Sequence, residues 1–315
     1  MRIVFMGTPD FAAGILEAII EDKTHEIVGV VTSTDKPAGR GMKIQESAVK
    51  ICAKNHHLPV LQPEKLKDTQ FIEVLQRLQA ELFVVVAFRM LPEVVWKMPS
   101  KGTINLHASL LPQYRGAAPI NWAIINGETQ TGVTTFFINE KIDEGNSILS
   151  EKVEITKEDN AGTLHDKLQH SGKYLVLRTL QEIENGTYTE IKQSVSSDLK
   201  LAPKLYKENC IIDWNWTAER IFNFVRGLSP YPTAFSRYRN EENEEQILKL
   251  FSCETELSTH DYPCGKIQTD NKNFLKVACS DGYIHIKELQ IFGKKRIRID
   301  DFLRGNKWTN NLALY

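Results

Sequence analysis

Residues 82–88, LFVVVAF, form the most apolar run in the chain. A strand with no polar alternation is buried on both faces, and such strands belong to parallel sheets covered by helices. The start of the chain supplies the rest of the pattern. RIVFMG (2–7) is a short apolar run closed by Gly7, and EIVGVVT (26–32) is a second. Between them, TPDFAAGILEAIIED (8–22) sets Phe11, Ile15, Leu16, Ile19 and Ile20 at helical spacing behind Pro9 and Asp10. Strand, helix and strand in that order open a parallel α/β sheet. TINLHA (103–108) and GVTTFFI (132–138) read as further strands. AVKICAKNHH and IEVLQRLQA (72–80) read as helices, and residues 163–186 as a long amphipathic helix with Gly186 as its C-cap.

The 315 residues are long for one compact core, so two domains are expected. Residues 1–188 make the first. Residues 189–208 turn polar and irregular and read as a linker. Residues 209–315 make the second, opening on a helix over 217–228 that Gly227 ends. PTAFSRY, QILKLFSC, CGKIQT, FLKVACS and GYIHIKELQI follow, separated by turn signals. Short strands at that spacing predict a small barrel or sandwich. IIDWNW (211–216) puts Trp214 and Trp216 on one face if extended; packing into this domain's core is the main reading, and stacking on a base the other.

A net charge of −1 excludes a globally basic nucleic-acid binder but leaves room for a local basic patch. Five cysteines, an odd number with no CxxC spacing, make neither a zinc signature nor a disulfide framework. Reduced thiols in a cytoplasmic protein are expected. No apolar run reaches membrane-span length, and MRIVFMG enters a strand with no leader, so no membrane contact is expected.

The chemistry is sought in INLHASLLPQYRGAAPI (104–120). Side chains two apart share a strand face, so Asn105 and His107 point the same way where the strand gives out into a Pro/Gly loop. Asp143 lies in NEKIDEGNSILS (139–150), a Gly-containing turn after another strand. Ligands of open parallel sheets bind beyond the carboxyl ends of strands, where both segments fall. An amide that donates to an oxyanion, an imidazole that moves a proton and a carboxylate that orients it make an acyl-transfer set. No Ser or Cys nucleophile is needed if the substrate brings an amine. Spacing alone also fits a satisfied polar His and a turn Asp. GTPDF lacks the glycines of a dinucleotide fingerprint, and GxSxG, HExxH and GxxxxGK[ST] are absent.

HASLLPQYRGAAPI resembles the signature of the folate-dependent formyltransferases. The resemblance continues through FMGTPDFAAGILEAI, DKPAGRG, LFVVVAFRMLP, GVTTFFINEKIDEGNSIL, LAPKLYKENCIIDWNWTAERIFNFVRGLSPYPTAF and GKKRIRIDDFLRG. It spans nearly the whole chain, in the order expected of the members that act on initiator methionyl-tRNA. It implies a Rossmann-like formyltransferase domain and a smaller C-terminal OB-like β-barrel domain that binds tRNA. It implies 10-formyltetrahydrofolate as co-substrate, no metal, and Asn105, His107 and Asp143 as the catalytic trio. The folate would contact Ser109, Leu110, Leu111 and Pro112, together with Phe88, Arg89, Met90 and Leu91.

Two departures stand out. FRMLP carries Arg89 where the family favours Gly, either near the folate's glutamate tail or on the surface. IDEG carries Glu144 where Thr is common. The resemblance further implies that the loop STDKPAGRGMKIQES (33–47) enters the tRNA acceptor end through Arg40, with Lys43 beside it; composition alone favours a solvated loop. GKKRIR (293–298) offers Lys294, Lys295 and Arg296 to phosphate, or a solvated charged turn. The rivals are a formyltransferase acting on an amino sugar or purine precursor, a formyl-folate hydrolase, and a non-catalytic RNA-binding protein. A monomer is expected.

Overall fold

The computed structural model describes residues 1–38, 43–194, 198–240, 242–308 and 312–315. The chain divides into two compact units. The first comprises residues 1–116, 130–154 and 165–201, and the second residues 117–129, 155–164 and 202–315.

The first unit begins with β1 (Arg2–Gly7), α1 (Asp10–Asp22) and β2 (Glu26–Val31). The short β3 (Lys36–Ala38) and β4 (Lys43–Gln45) pair antiparallel, so the segment read as a loop carries a hairpin. Arg40 lies outside the described residues, and Lys43 is placed by its backbone in β4. α2 (Ala48–Asn55), β5 (Val60–Leu61), α3 (Thr69–Arg77), β6 (Leu82–Val86), α4 (Glu93–Trp96), β7 (Thr103–His107) and β8 (Arg115–Gly116) follow. α5 (Pro119–Ile125) belongs to the second unit, and β9 (Gln130–Phe137) and β10 (Ser147–Glu154) return to the first.

Seven strands form one sheet in the order β10-β9-β7-β6-β1-β2-β5. β7, β6, β1, β2 and β5 run parallel, while β9 is antiparallel to β7 and β10 to β9. All five residues of β6 are buried, as an unalternated apolar run at mid-sheet requires. α1 buries Phe11, Ala12, Ile15, Leu16 and Ile19, four of which were legible as a stripe. α6 (Ala161–Asn185) ends at Gly186, whose φ of 66° is the left-handed cap that glycine takes without strain.

β11 (Leu201–Ala202) leads to α7 (Ala218–Leu228) and then β12 (Ala234–Arg239), β13 (Glu245–Leu257), β14 (Ile267–Thr269), β15 (Leu275–Cys279), β16 (Gly282–Ile291), β17 (Ile297–Arg298) and α8 (Ile299–Gly305). The second unit's sheet is antiparallel, in the order β12-β13-β16-β15-β14, with β17 also on β16. Register shifts in β13 at Leu250 to Cys253 bend this long strand, which suits a curved, barrel-like sheet.

α7 packs in the unit core through Ile221, Phe224, Val225 and Leu228. Thr217 caps it by accepting from Arg220 N. Gly227 does not end this helix. It lies inside it, where a Cβ would stand 2.6 Å from Ile125 Cγ1 and 3.1 Å from Asn121 O, so its role is close approach to α5. Trp214 is buried in the same core and its indole N–H donates to Ser236 Oγ at 2.9 Å. Trp216 packs against it under the Arg220 guanidinium. Both tryptophans are structural.

Tertiary contact assigns two short segments across the order of the chain. Residues 189–201 join the first unit: Ile191 exchanges two backbone hydrogen bonds with Ser147, at 2.8 and 2.9 Å. Residues 155–164 join the second, where the Arg226 guanidinium donates to Thr156 O and Asp159 O at 2.9 and 3.0 Å.

Candidate active site

β7 lies between β6 and β9, with Asn105 in register with Val85 and Phe136, and His107 with Thr134. Asn105 and His107 therefore share a face at the carboxyl end of a parallel strand, the ligand-binding edge of such sheets. The Asn105 side chain is half-buried and has no hydrogen-bond partner among the described residues. An amide placed so is available to a ligand.

His107 is buried, 7% exposed, and its Nε2 lies 2.8 Å from Tyr114 O. A carbonyl only accepts, so Nε2 carries the hydrogen and the neutral ring leaves Nδ1 bare. Nδ1 lies 3.9 Å from Asp143 Oδ2. That is an ion-pair distance once the ring is protonated, and too long for a hydrogen bond. The group that orients the imidazole is thus the Tyr114 carbonyl. The carboxylate is itself fixed, accepting from Gly116 N at 3.0 Å.

Three non-glycine residues in this unit, on segments that follow β6, β7 and β9, have left-handed backbones: Ala87 (φ 45°), Tyr114 (φ 58°) and Asp143 (φ 54°). Residues held this way carry strain that surrounding contacts must maintain, and they concentrate at functional sites.

The SLLP loop is held from inside the unit. Thr134 Oγ1 donates to Ser109 O at 2.7 Å and accepts from Leu111 N at 3.2 Å. Ser109 is fully buried and donates to Gln113 O at 2.6 Å, so its hydroxyl serves the loop. Leu110 seats against Gly132, where a Cβ would stand 2.5 Å from Leu110 Cδ2. Leu111 and Pro112 remain half-buried.

On the other expected loop, Met90 is 75% exposed, Leu91 is buried, and Phe88 packs half-buried on the core. The Arg89 guanidinium lies over Phe88 and donates to the backbone carbonyls of Pro63 and Glu64. It staples two loops together.

Of the expected basic patch, Lys294 and Lys295 are exposed and have no carboxylate partner among the described residues. Arg296 is ion-paired with Glu288 and lies over the Phe251 ring at 4.3 Å, so it is not a free cation.

One further group of ligating atoms comes together, on α1 and α2. Glu17 accepts from Cys52 Sγ at 3.0 Å and lies 2.8 Å from His56 Nε2. Burial, reinforced by Glu17, pushes the Cys52 thiol up to about 12, so it is a protonated hydrogen-bond donor at neutral pH. No helix is long and apolar enough to cross a membrane among the described residues.

Comparison with known proteins gives the family. The formyl transferase family model matches residues 1–180, and the formyl transferase C-terminal domain model matches residues 204–307. The methionyl-tRNA formyltransferase of Bacteroides fragilis is 53% identical over 308 residues, covering 97% of this chain and 95% of its own. That of Flavobacterium johnsoniae is 50% identical over 315 residues, covering 100% and 99%. The chain belongs to the methionyl-tRNA formyltransferase family.

It is accordingly an enzyme of formyl transfer. Solved structures show the fold alone. An N-formyltransferase from Helicobacter canadensis, in complex with folinic acid and dTDP-3-aminofucose, matches at a TM-score of 0.63 with 20% identity, over 94% of this chain and 100% of its own. HypX from Aquifex aeolicus in complex with tetrahydrofolic acid matches at 0.64 with 18% identity, over 96% of this chain and 47% of its own. The amino-sugar alternative thus has support only from distant neighbours in fold.

Proposed function

We propose that this enzyme transfers the formyl group of 10-formyltetrahydrofolate to the α-amino group of methionine on initiator methionyl-tRNA, with Asn105, His107 and Asp143 as the catalytic residues. The observation that carries this is the Asn105 carboxamide without an internal partner, two residues from an imidazole whose Nε2 is committed to Tyr114 O. The folate supplies the formyl carbon. Asn105 donates to the formyl oxygen as negative charge builds on it. His107 Nδ1, bare in the neutral ring, takes the proton of the attacking amine and passes it to N10 of the folate as the N10–formyl bond breaks, so tetrahydrofolate leaves neutral at that nitrogen. Asp143, at 3.9 Å, stabilises the imidazolium so formed.

The pterin is assigned to the loop from Phe88 to Leu91 and to the backbone of Leu111 and Pro112, since Ser109 and Leu110 are engaged in holding their own loop. Backbone groups suit a heterocycle whose edge alternates donors and acceptors. The tRNA is assigned to Arg40 and Lys43 at the acceptor end, and to Lys294 and Lys295 on the second unit. The same reading makes the protein a cytoplasmic monomer.

The test is transfer of labelled formyl to initiator methionyl-tRNA, with a nucleotide-linked amino sugar and water as competing acceptors. Asn105→Ala is expected to slow transfer about 100- to 1000-fold. Lys294→Glu with Lys295→Glu is expected to weaken tRNA binding and flatten its salt dependence. Transfer only to the sugar or to water would overturn the tRNA assignment, and an unimpaired Asn105→Ala would overturn the oxyanion role.

A further inference from the structure

We propose that Gln193 is a positioning residue for formyl transfer: its carboxamide sets the backbone of the Asp143 turn and so holds the Asp143 carboxylate beside His107. The inference rests on the catalytic reading of Asp143 above.

Every hydrogen-bonding position of the Gln193 carboxamide is filled. Its Nε2 donates to Asp143 O at 3.0 Å and to Gly145 O at 2.7 Å. Its Oε1 accepts from Arg115 Nε at 3.1 Å and Nη2 at 2.7 Å. Guanidinium groups only donate and carbonyls only accept, so the amide has one possible orientation. The main chain beside it is also fixed, because Ile191 is bridged to Ser147 by two backbone hydrogen bonds.

These contacts close a ring around the turn. Arg115 is buried, with a side chain 8% exposed, and its Nη1 lies 3.3 Å from Glu144 Oε1. The next residue, Gly116, gives its N–H to the Asp143 carboxylate. Asp143 is thereby held at both ends, its carboxylate by Gly116 and its carbonyl by Gln193. Asp tolerates the left-handed φ of 54° better than most residues, and these contacts fix it there. Glu144, the departure from the common Thr, gives the buried Arg115 a counter-charge, which keeps the cation beside the Gln193 oxygen. No described contact joins Gln193 to Asn105 or His107, so its influence on the chemistry runs through Asp143.

The experiment is a double-mutant cycle on the full-length enzyme, reading kcat and both KM values with initiator methionyl-tRNA and the formyl donor. A displacement of about 1 Å in a catalytic group costs about 100-fold in rate. Gln193→Ala is therefore expected to lower kcat about 10- to 100-fold while both KM values stay within about twofold. Gln193→Glu keeps the acceptor for Arg115 but replaces both donors by an oxygen that repels the two carbonyls; the same loss of kcat is expected, with a thermal melt run beside it to confirm that the enzyme is folded at the assay temperature.

Asp143→Asn combined with Gln193→Ala should be no slower than Asp143→Asn alone. A kcat near wild type in Gln193→Glu, or losses that multiply in the double variant, would overturn the positioning role while leaving Asp143 catalytic. A near-normal rate for Asp143→Asn alone would bring down the catalytic reading of Asp143 and this inference with it.

Discussion

His107 shows how much at a site depends on a group with no side chain. Its proton position is set by the carbonyl of Tyr114, a residue with a left-handed backbone at φ 58°. Gly145 shows the same dependence in reverse. A Cβ there would stand 1.6 Å from Phe137 O, far inside any non-bonded contact, and the obstacle is backbone. Gly145→Ala is expected to displace the Asp143 turn and cost about 100-fold in kcat, measured by formyl transfer alongside a thermal melt that separates misplacement from unfolding. Strand periodicity and the turn glycine drew attention to Asn105, His107 and Asp143, and the family resemblance, not spacing, gave them their proposed roles. Their orienting partners were not legible. A backbone carbonyl carries no signature, and Gln193 sits in a polar stretch whose composition reads as a tether.

At the scale of elements, the buried strands were legible because continuous apolar runs have few other destinations, and α1 and α7 because their apolar stripes are strong. β10 was missed: SILSEKVE is an edge strand, mostly polar, and its identity comes from pairing with β9 rather than from its own residues. α5 was missed because it is short and begins at the Pro of Gly-Ala-Ala-Pro, which reads as a turn.

Gly227 was read by rule as a terminator, and its true constraint lies on another helix. Substituting Ala inside a helix normally gains about 1 kcal/mol over Gly. Here the added methyl would meet Ile125 N at 3.0 Å and Asn121 O at 3.1 Å, backbone atoms that cannot swing aside. Overpacking of about 1–3 kcal/mol then outweighs the propensity gain. Gly227→Ala is expected to lower the urea midpoint; an unchanged or higher midpoint would show that α5 yields.

For the whole molecule, the five cysteines report how the two cores close. Cys52, Cys210, Cys253 and Cys279 are buried, and only Cys264 is partly exposed. Burial pushes Cys52 and Cys253 up to about 12 and Cys279 to about 11, so these thiols stay protonated, and hence unreactive, through pH 9. An aromatic disulfide reagent is expected to titrate one thiol quickly and the other four only with unfolding. Several fast thiols would mean that one of the cores opens readily.

Tertiary contact divides the chain more finely than its order does. Sequence reading looks for boundaries along the chain, whereas α5 and residues 155–164 reach the second unit by tertiary contact. That arrangement has a consequence in time. Ala123 and Ile124 of α5 are synthesised roughly 90 residues before α7, the helix against which α5 packs. At about 5–20 residues per second the interval is roughly 5–20 s. On the ribosome an early helix waits with its apolar side uncovered for a late one, and the fold writes a delay into its own synthesis.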